Sequence, residues 1–162
     1  MTVLAICTLP DPVLKQKAKR IRTIDSSIKK LIADMLETLH AAPGRAGLAA
    51  PQIGVSLRVA VINISGEDDI VIINPEIVKG SGERLVTEGC LSVPGYFGEI
   101  KRAESVTVKA LNQDGKKIRI KAEGLLAQAL EHEIDHLNGI VYVDHLDSLD
   151  KLIKVEEEPD EL

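Results

Sequence analysis

The sequence predicts an α+β fold: small antiparallel or mixed sheets packed around a C-terminal helix. Three observations carry that prediction. Helical periodicity occurs near both ends, with β-rich runs between and no βαβ alternation. Turn pairs drawn from Gly, Pro, Asn, Asp and Ser separate those runs at short intervals. The 162 residues, 44% apolar and 28% charged, suit one globular domain long enough to bury a core. No internal repeat or linker divides the chain, so residues 1–155 are expected to form one domain. Residues 156–162 (EEEPDEL) are expected to be an acidic, solvated tail.

Each element follows from local chemistry. Asp11-Pro12 predicts a short turn or helix running through Lys19. Residues 25–40 predict a helix, because Ile28, Leu31, Ile32, Met35, Leu36 and Leu39 recur on one face. Residues 41–47 break it, and 47–54 (GLAAPQIG), with two glycines and a proline, read as a loop. The β-rich runs are 57–62, 70–73, 83–87, 105–110 and 117–121. Turn signals stand at Ser65-Gly66, Asn74-Pro75, 80–82, Pro94-Gly95 and Asp114-Gly115. Asp114-Gly115, between two alternating runs, predicts a hairpin. Residues 125–138 predict the last helix, with Gly139 as its C-terminal cap.

Charge and composition exclude some functions. Lys and Arg total 20 against 25 Asp and Glu, a net charge of −5 with His neutral. A nucleic-acid binder normally carries the opposite surplus. Two Tyr, one Phe and no Trp leave little to stack on bases, so no direct nucleic-acid readout is expected. Two cysteines, Cys7 and Cys90, cannot build a disulfide framework and suit a reducing, cytoplasmic compartment. The N-terminus shows no basic leader or small-residue cleavage pattern and is read as mature protein. No apolar run approaches the roughly 18 residues that span a bilayer, so no membrane partner is expected.

The strongest chemical signal is His132-Glu133-Ile134-Asp135-His136, an HExxH pattern on the last helix. Residues four apart lie one turn apart on one face, so two imidazoles can converge on one metal ion. Glu133 follows the first of them, where its carboxylate reaches a water on that metal. The bland alternative is an exposed helix end with two solvated histidines. Leu125, Ala129, His132 and His136 argue against it: they step by four, three and four, so the apolar stripe runs into both histidines.

A catalytic site of this type takes three protein ligands and leaves a position open. The candidates for the third are Cys90, Cys7, Asp144, His145 and His40. In an HExxHxxGxxH extension Gly139 fits, but Tyr142 occupies the final position. A distal glutamate could only be Glu156, Glu157 or Glu158, in the polar tail. Cys90 is better placed, at the end of a β-rich run beside Gly89. A lone cysteine is more often an inert buried thiol, and Cys7 is read that way. His40 and His145 are read as ordinary surface or helix-end residues.

Three segments in order, GLAAPQ at 47–52, EGCLS at 88–92 and HEIDH at 132–136, resemble the signature motifs of the peptide deformylases. The opening segment LPDPVLKQKAKRI and the chain length are similar to that family too, so the resemblance covers nearly the whole domain. It implies a metal-dependent hydrolase that removes the N-formyl group from the initiator methionine of nascent proteins and releases formate. Cys90, His132 and His136 would bind the catalytic divalent metal, Fe(II) in the cell, with zinc, nickel or cobalt able to substitute. Glu133 would carry the proton, and the Gln52 amide and Leu91 backbone N–H would donate to the developing oxyanion. The implied partners are N-formylmethionyl nascent peptides and, in passing, the ribosome.

Leu125 and Ala129 share the helix face of the ligands and are natural walls for a methionine slot. The family places Gly47, Leu48 and Val86 near substrate as well. An extended peptide of variable sequence is best held by main-chain pairing, with residues 46–48 and 94–96 as rails. Asp135 and Arg102 match family positions and are read as orienting or folding contacts. Two departures stand out. Arg45 sits where the family usually has glycine, which brings peptide affinity into question, and Glu131 replaces a common glutamine. Two other readings compete: a zincin-type peptidase with a different third ligand, and a non-catalytic metal or peptide-binding module. An intact Glu133 argues against the second.

Overall fold

In the computed structural model, which describes residues 2–155, a side-chain cap opens the first long helix and a left-handed glycine closes the last. The Asp25 carboxylate accepts the Ile28 N–H at 3.1 Å and opens α1, Ser26–His40. Its apolar stripe of Ile28, Ile32, Met35 and Leu39 is buried. Each such side chain, fully buried, contributes about 1.5–3 kcal/mol. The second helix, α2, spans Gly124–Leu137. Gly139 follows at φ +75°, the left-handed conformation that lets the chain leave a helix. A side chain there would also run into the Lys15 backbone. The N-terminal segment lies against this helix end: the Ala18 N–H donates to the Leu137 carbonyl at 2.9 Å, and Arg58 reaches the same carbonyl at 2.7 Å.

Eight strands follow the chain: β1 Gly47–Ala49, β2 Val59–Ile62, β3 Ile70–Ser81, β4 Arg84–Cys90, β5 Val93–Arg102, β6 Ser105–Leu111, β7 Lys117–Glu123 and β8 Ile153–Lys154. They form two sheets, ordered β1-β2-β3-β6-β7 and β4-β5-β8, and every strand pair is antiparallel. The buried strand β2 separates two cores. Val59 and Val61 join the α1 stripe, while Ala60 and Ile62 join Ala127, Leu130, Ile134 and Leu137 of α2. The helix that carries the histidines is thus fixed along its length by the first sheet.

The α+β class, the two long helices, the Asp114-Gly115 hairpin and the Gly139 cap match expectation. Four local expectations change. Residues 47–54 hold β1 and a 3-10 turn, Ala50–Ile53; a three-residue strand is too short to show a period. Asn74-Pro75 does not reverse the chain. A register shift between Ile73 and Glu76 absorbs it, and β3 continues to Ser81. The Asn74 side chain meanwhile clamps Ile21, accepting its N–H at 2.9 Å and donating to its carbonyl at 2.8 Å. Strand β5 was hidden by Pro94 and Gly95, and its long pairing with β4 overrides their low propensity. The N-terminal helix is one 3-10 turn, Pro12–Lys15. The tail, 156–162, lies outside the described residues. No helix among the described residues is long and apolar enough to cross a membrane.

Candidate active site

Along α2, His132 and His136 stand one turn apart, with ring centroids at 4.8 Å and their Nε2 atoms 3.1 Å apart. The thiol arrives from the other sheet. The β4–β5 register shifts between Gly89 and Cys90, so Cys90 pairs with Val93 at the hairpin tip. Its Sγ lies 3.3 Å from His136 Nε2 and accepts the Ser92 N–H at 3.4 Å. Cys90, His132 and His136 each offer one donor atom within 4.8 Å of the others. One thiol and two imidazoles facing one point suit iron or zinc in donor chemistry. The rival ligands are engaged elsewhere: Asp144 pairs with Lys15, His40 with Asp69 and His145 with Asp135. Cys7 packs near Gly54.

Glu133 is 3% exposed, and its Oε1 has no hydrogen-bond partner. A buried oxygen without a partner is costly unless something else meets it there, so this atom marks a place for a ligand. Its other side packs on Gly47, where a Cβ would fall 2.8 Å from the Glu133 carboxyl carbon. Burial pushes this carboxyl up to about 7, with neighbouring His132 opposing the rise.

Behind the histidines lies a polar network that begins at Glu88. Its carboxylate accepts His132 Nδ1–H, which fixes Nε2 as the free nitrogen. Arg102 grips the same carboxylate with two bonds, 2.6 and 3.1 Å, and Gln128 adds a third at 3.2 Å. Burial alone would raise Glu88, but the bonds from His132 and Arg102 outweigh it and hold it at about 2. Arg102 also donates to Asp135 at 2.7 Å, and the same Asp135 oxygen lies 2.8 Å from His145 Nε2. Glu131 accepts the Ala103 N–H at 2.8 Å, which ties α2 to the β5–β6 connection.

A cleft of about 500 Å³ opens over these groups. Gly47, Gln52, Leu91, Leu125, Ala129 and Glu133 border it. Leu48 and Val86 do not: Leu48 is fully buried on the α1 side, and Val86 packs on the cluster around Tyr142. Gln52 is buried and fixed by the Ala49 N–H at 2.9 Å, with its own NH₂ 3.2 Å from Ser92 Oγ and 3.6 Å from Cys90 Sγ. Arg45 stands at the rim, but its guanidinium donates to the Thr38 carbonyl near the end of α1. The departure from glycine is therefore accommodated by a tie to the helix. Sequence reasoning passed over Glu88 and Gln128. Glu88 carried a signal, because it stands two residues before Cys90 within a β-rich segment.

The polypeptide deformylase family model matches residues 3–152. The chain belongs to that family. The peptide deformylase of Dehalococcoides mccartyi (strain CBDB1) is 55% identical, over all of this chain and 99% of the relative. Among solved structures, the Legionella pneumophila peptide deformylase has a TM-score of 0.89 at 52% identity and covers 93% of this chain and 89% of its own. The Synechococcus elongatus peptide deformylase, solved with actinonin, has a TM-score of 0.87 at 40% identity, covering 91% and 81%. Peptide deformylases are metal-dependent hydrolases that remove the formyl group from an N-terminal formylmethionine, and that is the activity of this chain.

Proposed function

We propose that residues 1–155 act as one catalytic domain in which Cys90, His132 and His136 hold the divalent metal, Fe(II) in the cell. The observation that carries this reading is the unpartnered Glu133 Oε1 beside the three converging donors. When bound, the metal supplies a Lewis acid that polarises the formyl carbonyl and acidifies a water. Glu133 takes the proton of the attacking water, at a carboxyl that burial places near the working pH. It then returns that proton to the leaving amine, so one buried oxygen serves both transfers. The Gln52 amide and the Leu91 N–H donate to the oxygen that becomes negative as the carbonyl carbon is attacked. Gln52 is held in advance by Ala49 and needs no rearrangement to do so.

Glu88 and Arg102 orient His132 through its second nitrogen. Leu125 and Ala129 wall the methionine side chain, and Gly47 brings the peptide main chain close. Residues 46–48 and 94–96 flank the peptide. Main-chain pairing along these rails accepts any downstream sequence. Nascent N-formylmethionyl chains met at the ribosome place this activity in the cytoplasm, a compartment where unpaired cysteines such as Cys7 and Cys90 stay reduced.

The test is to purify the protein without oxygen, measure its metal, and follow formate release from a formylmethionyl peptide. Glu133→Ala is expected to keep its metal and lose activity by about 10²–10⁴-fold. An active Glu133→Ala protein would sink the role given to that carboxylate.

A further inference from the structure

We infer that the bare half of the first sheet is a docking surface for the phosphate backbone of double-stranded RNA. Toward α1, that sheet face is covered over Val59, Val61, Val71 and Ile73. The same face continues across the end of β3, β6 and β7, where its charged side chains are exposed, Ser105 and Leu111 are half-buried and Thr107 is buried between its neighbours. The register assigns its members. Lys79, Thr107 and Lys121 are directly opposed across three strands, Lys109 faces Arg119, and Leu111 faces Lys117. Directly opposed residues project to one face, and steps of two along a strand keep to it. Five cations therefore share this face with two acids, Glu76 opposite Lys109 and Glu123 opposite Ser105.

Two further observations point to an anionic occupant. Like charges directly opposed weaken a sheet, yet Lys109 and Arg119 are so placed, and none of the five cations makes an ion pair among the described residues. A groove of about 650 Å³ also runs along Lys79, Ser81, Ser105, Thr107, Arg119 and Lys121, so ammonium, guanidinium and hydroxyl groups line one channel. The net charge of −5 does not oppose this assignment. Five of the 25 acidic residues fall in 156–162, which leaves 20 acids against 20 Lys and Arg in the rest.

The chemistry of the face selects among polyanions. It carries no aromatic side chain to stack on bases and no exposed leucine to enter a bilayer. Cations interleaved with hydroxyls fit phosphates and 2′-hydroxyls, the groups by which an A-form duplex is recognised through shape. Such contact reads no base sequence. It is also independent of the hydrolytic reading, because none of these residues borders the cleft.

The test uses the full chain and a fluorescein-labelled 20-base-pair RNA duplex, with fluorescence anisotropy followed from 50 to 200 mM salt. The triple variant K79E/K109E/K121E is expected to bind at least tenfold more weakly. Its slope of log affinity against log salt should fall by about 3, at about 0.9 per lost phosphate contact. Formate release from a short formylmethionyl peptide should stay unchanged, which certifies the fold. The variant K17E/K19E/R20E carries the same charge change elsewhere and is expected to bind like the parent. Equal weakening in both variants, parental affinity in the sheet variant, or no salt-dependent binding overturns the proposal. Equal affinity for a DNA duplex, or tighter binding to phosphatidylserine vesicles, overturns the assignment to RNA.

Discussion

The two imidazoles come from adjacent turns of one helix, and the thiol comes from a hairpin tip in the other sheet. In α2 the spacing is written into the backbone: four residues make one turn, and buried Leu130, Ile134 and Leu137 anchor the opposite face. In the second sheet little is buried. Leu85 is 63% exposed, and the register must slip at Gly89 before Cys90 meets His136. The helix half of the site is local and rigid. The strand half depends on two distant pieces of chain meeting. A donor set divided in this way should respond differently to damage on its two sides.

The sharpest break comes from Cys90→Ala. It is expected to strip the metal and abolish formate release while far-ultraviolet circular dichroism keeps the α2 signal, because the helix core does not include Cys90. Full metal retention, by plasma mass spectrometry, would return the third ligand to open choice. Gly47→Ala strikes the helix half indirectly, since the added methyl occupies the space of the Glu133 carboxyl. It should keep its metal and lose about 10²–10⁴-fold in kcat, like the loss of a general base. A parental kcat would show that Glu133 can move without penalty.

Glu88→Gln links the two halves, because Glu88 lies on β4 and its partner His132 on α2. A loss of about 10–100-fold in metal affinity is expected by chelator competition. Acid sensitivity should change with it. Glu88 has a lowered folded-state pKa, so its stabilisation is present above the ordinary carboxylate range and is lost as pH falls toward about 2. Glu88→Gln should therefore flatten the stability profile in that window; an unchanged acid limb would exclude Glu88 as its source. Gly139→Ala, at the end of the histidine helix, should cost about 2 kcal/mol in denaturant melts, because φ +75° disfavours a side chain. Leu85→Ser on exposed β4 should stay within about 0.5 kcal/mol, and a larger loss would mean the strand half is packed more tightly than its exposure implies.

The same contrast explains what could be read in advance. Helix α2, its cap and both imidazoles were legible, because their signals lie within about four residues of each other. The α1 stripe and the Asp114-Gly115 hairpin were legible for the same reason. Strands β1 and β5 were not: one is too short to show a period, and the other carries Pro94 and Gly95 but is held by β4. Cys90 could be preferred among several candidates from its setting, yet only motif order singled it out. Glu88 needed the third dimension, since its partners lie 14 and 44 residues away in sequence. Arg45 posed a question that sequence left open, and the answer lay in a carbonyl on α1.

The contact between Gly47 and Glu133 also bears on how this enzyme can evolve under attack. A competitive ligand lying against Gly47 touches a surface that the protein is not free to redecorate. Any side chain introduced there to repel the ligand reaches the Glu133 carboxyl, so the resistant allele disables the catalyst that it protects. Leu125, 56% exposed on the cleft wall, carries no such linkage. Resistance by point mutation should therefore collect on the outer wall, and inhibitors drawn inward toward residue 47 should leave it the fewest routes.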